Sequence, residues 1–108
     1  MKVVYIAGPY TNGNQAANVR SALLAVHNVI DAGGAPICPL LFHFAELVQF
    51  TRSWETWMKV DLKLLTRSDI VWRLPGSSKG ADIEVDVAKK MGLPVVRSYA
   101  DLQKSLTD

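Results

Sequence analysis

The chain has 108 residues, 49% hydrophobic and 20% charged, and its 12 Lys and Arg against 10 Asp and Glu leave a net charge of +2. That length encloses one core rather than two, the hydrophobic fraction excludes a disordered tail, and no run of about 18 uncharged apolar residues is present to cross a bilayer. A small positive charge without a Lys/Arg cluster argues against a nucleic-acid polymer as partner, so a bound nucleotide would be a small molecule. The apolar run before Gly8-Pro9 is too short for a secretory signal, and the single cysteine, Cys38, has no partner for an internal disulfide. Both lead to the expectation of a cytoplasmic protein that begins at Met1.

Residues 3–7 form a short apolar run rich in β-branched side chains, which predicts a strand buried on both faces. After a polar turn over 10–14, Val19, Leu23, Val26 and Ile30 recur at spacings of three and four. They predict a helix over 15–31 that Gly33-Gly34 ends. Residues 35–38 read as a second strand, with Pro36 favouring an edge or an irregular start. Residues 40–52 carry Phe42, Phe44, Leu47, Val48 and Phe50 without a clear period and are expected to form a loop with a short helix. Ser53 reads as the N-cap of a helix reaching 67. Residues 69–73 predict a third buried strand and 74–80 a loop. The alternation over 81–87 would by itself suit a half-exposed strand, but the spacing of 81, 85, 88 and 91, with Lys89 and Lys90 before Gly92, favours a helix. A fourth strand over 93–97 and a terminal helix over 99–106 complete the pattern.

Strand and helix alternation with short connections implies a single α/β domain over 1–108. Its expected core is a doubly wound, flavodoxin- or Rossmann-like parallel sheet of four to five strands with helices on both faces. In such a sheet ligands bind beyond the carboxyl ends of the strands, which points to the loops after Ala7 and after Arg73.

Two carboxylates interrupt this pattern. Asp61 falls in the middle of the apolar stripe Trp54, Trp57/Met58, Leu64/Leu65, and Glu84 lies between Ala81 and Ala88 on the face that should meet the sheet. A desolvated carboxylate costs several kcal/mol unless it is paired, hydrogen-bonded or open to a cleft. Asp61 is therefore either a satisfied structural residue near Lys59 or a cleft residue, and Glu84 either an ordinary first-turn acid or a functional one. Asp82 and Asp86 read as solvated. The loop Gly76-Ser77-Ser78-Lys79-Gly80 has the parts of an anion cradle, or is a plain strand-to-helix turn. It lacks the endings of a P-loop and of a dinucleotide fingerprint, so neither ATP hydrolysis nor NAD-dependent redox chemistry is supported. His27, His43 and Cys38 have no metal-ligand spacing, and no Gly-x-Ser-x-Gly elbow surrounds Ser77 or Ser78. No cofactor and no metal are expected. Trp54, Trp57 and Trp72 read as core or interface residues, one of which could stack on a flat ring.

Three segments together, VYIAGPY at 4–10, KVDL with SDIVW at 59–72, and SKGADIE running into MGLPV at 78–95, resemble the nucleoside 2-deoxyribosyltransferase superfamily, including its nucleoside 5'-monophosphate N-glycosidases. The resemblance implies that Glu84 is the nucleophile, that Asp61 positions the substrate and handles the proton of the base, and that Tyr5 orients the nucleophile. Independently of the resemblance, Gly8 and Gly80 would allow close backbone approach and Ser78, Lys79, Thr11 and Asn12 could hold phosphate or sugar hydroxyls, so the expected substrate site is Gly8, Pro9, Tyr10, Thr11, Asn12, Ser78, Lys79 and Gly80. Transferases of free nucleosides usually carry Asp six residues before the glutamate. Here that residue is Ser78, as in the monophosphate hydrolases, and a hydroxyl is compatible with a phosphate dianion.

The expected activity is thus cleavage of the N-glycosidic bond of a nucleoside or deoxynucleoside 5'-monophosphate through a glycosyl-enzyme. The alternatives are base transfer, or a nucleotide-binding or sensing module of the same fold without turnover. A phosphoribohydrolase of the cytokinin-activating type ranks lower, since Ala81 follows Gly80 where those proteins show Thr. Lys79 and Arg20 are the cations named for a phosphate. A homodimer or larger assembly is expected through residues 42–50 with Trp54 and Trp57, the site lying near the subunit boundary.

Overall fold

The computed structural model of the chain describes residues 1–49 and 52–108. Its elements are β1 (Val3–Ala7), α1 (Gln15–Asp31), β2 (Ala35–Ile37), a 3-10 helix (Pro39–Leu47), α2 (Trp54–Leu65), β3 (Ile70–Arg73), α3 (Lys79–Lys90), β4 (Val95–Val96) and α4 (Tyr99–Thr107).

The four strands form one parallel sheet in the order β2-β1-β3-β4. Side chains alternate across a strand, so β1 feeds two cores. Val4 and Ile6 pack with Ala22, Ala25 and Val29 of α1 and Leu102 of α4, whereas Tyr5 and Ala7 pack with Leu65 of α2 and Ala81 and Ala88 of α3. Helices therefore cover both faces, as the alternating pattern predicts. From β1 the chain winds outward to β2, then returns to place β3 on the other side of β1. The strand order thus reverses between β1 and β3, and a crevice opens beyond their carboxyl ends.

Local chemistry starts each α-helix. Asn14, Ser53, Ser78 and Ser98 each accept a hydrogen bond from the N–H three residues on, at 3.0, 3.1, 3.1 and 3.1 Å, a contact that typically contributes about 1 kcal/mol. Pro36 sits in the edge strand β2, where its missing N–H costs no ladder bond.

Several expectations need correction. The stripe Val19, Leu23, Val26 and Ile30 that predicts α1 is not its buried face: Ala22, Ala25 and Val29 are buried, while Leu23, Leu24 and Ile30 are 47%, 51% and 55% exposed. The smaller side chains let the helix lie close on the sheet. The short helix expected within 40–52 is a 3-10 helix over Pro39–Leu47 and starts one residue earlier, and the part of the apolar segment at Phe50 lies outside the described residues. The fourth strand shrinks to Val95–Val96. The third starts at Ile70, one residue after Asp69, whose N–H donates to Val3 O at 2.9 Å and whose carboxylate accepts the Val3 N–H at 2.8 Å. Among the described residues no helix is long and apolar enough to cross a membrane, and no group of three or more His, Cys, Asp or Glu is placed to hold a metal ion.

Candidate active site

A cavity of about 390 Å³ opens at the reversal of strand order, within the usual range for small-molecule sites. Its rear is built from the end of β1 and from α3. Tyr5 points from the central strand toward the α2/α3 layer and is fully buried, and its hydroxyl donates to Glu84 Oε2. Glu84 is 6% exposed yet lines the cavity. The neighbours that share its helix face, Ala81 and Ala88, are small enough to bring α3 against the sheet. Burial pushes the Glu84 carboxyl up to about 7. The Asp61 charge acts in the same direction, while the Tyr5 hydrogen bond and the Arg73 cation oppose it. Burial likewise holds the Tyr5 phenol far above its usual value, reinforced by the Glu84 charge, so Tyr5 acts as a fixed donor.

Asp61 enters the same cavity from α2. Its Oδ1 is buried without a hydrogen-bond partner among the described residues, and burial raises its carboxyl to about 6 against the opposing pull of His43. No lysine satisfies it. A buried oxygen left without a donor carries a desolvation cost that a ligand donor would relieve.

The 3-10 helix closes the front. With three residues per turn, side chains three apart eclipse, so Leu40, His43 and Glu46 fall on one side and all face the cavity. The His43 ring stacks on Tyr10 at 4.5 Å and 11°, lies 5.4 Å from Trp57, and its Nδ1 is 3.5 Å from Glu46 Oε1. Glu46 sits below its ordinary value: burial works against ionisation, but the Arg52 N–H at 2.9 Å, the Trp57 indole and His43 outweigh it. The Trp57 Nε1 is itself buried without a partner of hydrogen-bond geometry, close enough to favour the charged Glu46. Arg52, Trp54, Trp57 and Met58 complete this wall.

Of the residues named from sequence, Tyr5, Gly8, Tyr10, Thr11, Asp61, Ser78, Gly80 and Glu84 share the cavity wall, and Pro9, Asn12 and Lys79 do not. Pro9 and Asn12 instead join the two crevice loops. A Cβ on Gly76, at φ +110°, would stand 2.8 Å from Pro9 Cγ, one on Gly8 would meet Leu74 Cβ at 3.1 Å, and Asn12 Nδ2 donates to Ser77 O at 3.1 Å. Lys79 lies over the Trp54 ring at 5.1 Å, and Arg20 belongs to the outer side of α1. The cation on the cavity wall is Arg52, which the sequence reading passed over along with His43, Glu46 and Met58.

Behind Glu84 stands a further residue the sequence did not single out. Arg73 ends β3, is 6% exposed, and donates to the carbonyls of Leu74 and of Gly76, the latter at 2.9 Å, and to Asp82 Oδ1 at 3.0 Å. It ties the loop before α3 to the first turn of that helix. Asp82 is thus paired rather than simply solvated.

A sequence-family model described as Domain of unknown function (DUF4406) matches residues 2–97. No curated protein matches the chain. Among solved structures, a 2-deoxyribosyltransferase from the psychrotolerant bacterium Bacillus psychrosaccharolyticus is similar at TM-score 0.67 and 22% identity, over 86% of this chain and 69% of that one. A 2-desoxiribosyltransferase from Leishmania mexicana is similar at TM-score 0.57 and 17% identity, over 90% of this chain and 63% of that one. The chain belongs to the DUF4406 family and has the fold of the 2-deoxyribosyltransferases that its motifs resemble.

Proposed function

We propose that the chain cleaves the N-glycosidic bond of a nucleoside 5'-monophosphate and releases the free base, with Glu84 as the nucleophile. One observation carries this reading. A buried glutamate, fixed by the Tyr5 hydroxyl and titrating near neutrality, lines a small-molecule cavity that also presents the unpartnered Oδ1 of Asp61.

Breaking the bond between C1' and a base nitrogen builds positive charge on C1' and the ring oxygen. Ionised Glu84 stabilises that charge, and its free oxygen forms a bond to C1' as the C1'–N electron pair leaves with the base. The departing nitrogen takes the proton held by Asp61. Water then attacks C1', its proton returns to Asp61, and Glu84 leaves as a carboxylate. The two acids titrate as a coupled pair, raised to about 6 and about 7. Between these values the pair holds one proton, mostly on Glu84, and the reactive form is the minor one that carries it on Asp61.

Ser78 favours a phosphorylated substrate. Its oxygen caps α3 and its side chain lines the cavity, so an uncharged group meets the ligand at the positive end of the helix. Arg52 adds a cation to the same wall.

The two solved structures named above are 2-deoxyribosyltransferases, which favours a second reading in which an acceptor base replaces water. Incubation with a panel of nucleosides and their 5'-monophosphates, with and without an added free base, separates the two. Free base alone supports hydrolysis, and a new nucleoside or nucleotide carrying the added base supports transfer. Glu84→Ala should abolish both, and unchanged product from that variant refutes the nucleophile. Ser78→Asp keeps a good helix cap but places a charge at the proposed phosphate position. It should raise KM for the monophosphate by about tenfold or more, equivalent to about 1.4 kcal/mol, while sparing the free nucleoside.

A further inference from the structure

The cavity wall carries three acids, Glu46, Asp61 and Glu84, against the single guanidinium of Arg52. Among the described residues no Lys or Arg side chain lies within ion-pair distance of any of the three, and His43 Nδ1 at 3.5 Å from Glu46 Oε1 is the nearest approach to one. Aromatic rings make up much of the front wall. His43 stacks on Tyr10 at 4.5 Å and stands at 45° to Trp57, 5.4 Å away, and Trp54 lines the same cavity. The face of such a ring is electron-rich and attracts a cation within about 6 Å of its centre. Trp54 already does so, with Lys79 Nζ 5.1 Å from its ring. Ring faces beside an unneutralised carboxylate are the surroundings in which a flat cation is held.

We propose that the nucleotide cleaved here carries its base as a cation, a positively charged heteroaromatic ring of the pyridinium or N-alkylated purine kind, received by the front-wall rings and the Glu46 carboxylate. This rests on the reading of Glu84 as the nucleophile and of a 5'-phosphate at Ser78. The substrate is then matched at both ends, its phosphate at the positive end of α3 and its base among the acids.

The protonation of the wall agrees. Burial works against the charge of Glu46, yet the Arg52 N–H, the Trp57 indole and His43 hold its carboxyl below the ordinary value, so it is ionised at neutral pH. Burial raises Asp61 to about 6 and Glu84 to about 7, with Tyr5, Arg73 and His43 as the other groups that act on the pair. Glu84 is thus the weaker acid, and the form that a neutral base requires, with the proton on Asp61 and none on Glu84, is the minor one. A cationic base requires no proton. The C1'–N bond breaks, its electron pair neutralises the ring, and ionised Glu84 forms the bond to C1'. Water then attacks C1', its proton passes to ionised Asp61, and Glu84 leaves as a carboxylate. Both carboxyls are ionised in this cycle, which is the prevailing state above about pH 7.

Calorimetric titration of the Glu84→Ala protein reads this preference apart from turnover. Two pairs of ligands keep the same sugar and phosphate and differ in the charge of the base: nicotinamide mononucleotide against its reduced form, and 1-methyladenosine 5'-monophosphate against AMP. In at least one pair the cationic member should bind about tenfold or more tightly. Adding Glu46→Gln, which keeps an acceptor for the Arg52 N–H, should bring that pair to within about threefold. A preference in the first pair identifies a pyridinium and one in the second an alkylated purine. Equal affinities in both pairs, no binding of either cation, or a preference that survives Glu46→Gln overturns the inference. Base release by the wild type is read separately. It should persist above about pH 7 with the preferred cation and decline there with AMP. Release from the cation that is undiminished in Glu84→Ala refutes the nucleophile instead, and leaves the binding preference to stand or fall on the titrations.

Discussion

Replacing Glu84 by Gln should stabilise the protein while removing its proposed chemistry, and the size of the gain follows from the carboxyl's displacement. Glu84 is raised from 4.5 to about 7, first by burial, and each tenfold change in proton affinity is worth about 1.4 kcal/mol. The folded chain therefore holds a proton that the unfolded chain releases throughout that window, and stability falls as pH rises from 4.5 to about 7. Above it the full cost of the buried charge, about 3 kcal/mol, is present. Gln accepts the Tyr5 hydroxyl through its own oxygen, so the hydrogen bond survives, while its extra amide protons cost about 1 kcal/mol if they find no partner. The expected net gain is about 2 kcal/mol at pH 8, turning to about zero or a slight loss at pH 4.5. Urea unfolding of both proteins at the two pH values measures this, and the wild-type minus variant difference cancels the titrating groups that are not coupled to Glu84. Asp61, partly buried and raised to about 6, adds a smaller effect of the same sign and remains in both proteins. A difference that does not change with pH, or a variant less stable than wild type at pH 8, would mean that Glu84 is solvated and the argument for its reactivity fails.

Further outcomes are expected at four positions. Arg73→Met removes a cation that favours ionised Glu84, so the acidic limb of kcat/KM should move to higher pH; Arg73→Lys, which keeps the charge but cannot span both loop carbonyls, should leave the limb in place and lower kcat. Asp61→Asn removes both a like charge and the proton source: the same limb should move to lower pH while kcat falls about 10²-fold or more, and a limb that stays put refutes the coupling. Gly76→Ala combines positive φ with a 2.8 Å approach to Pro9 and should cost about 2 kcal/mol or more in urea unfolding. Gly92→Ala, at φ +77° with nothing within 4 Å, should cost about 1 kcal/mol.

The sheet was legible because its strands are apolar runs bounded by Gly, Pro and Ser, the form that strands of a parallel sheet covered on both faces take. Helix positions were legible too, but not the facing of α1. Two stripes on that helix fit the helical period, one of small residues and one of large. The hydrophobic pattern favours the larger, whereas close packing on a sheet selects Ala22, Ala25 and Val29. Of the stripe that identified the helix, Leu23 and Ile30 stay outside, while Val26 packs at the margin of the core.

The site was half legible for a related reason. Glu84 and Asp61 stood out because each breaks an apolar face, and a carboxylate that breaks such a face must be answered by a partner or a cavity; Tyr5 is the partner of one, and the cavity receives the other. The front wall breaks no pattern. Leu40, His43 and Glu46 repeat every three residues, a period that neither a strand nor an α-helix has, so the segment reads as a loop with a short helix of undefined facing until its 3-10 geometry aligns them. Arg52 and Trp57 meet that row only through folding. The groups proposed to break the bond lie on elements whose periods are readable, whereas most of those that would contact the rest of the substrate lie where no period is expected. The type of reaction can therefore be argued from the chain before the base can, and His43, Glu46 and Trp57 are the positions at which base preference should change without loss of the Glu84 chemistry.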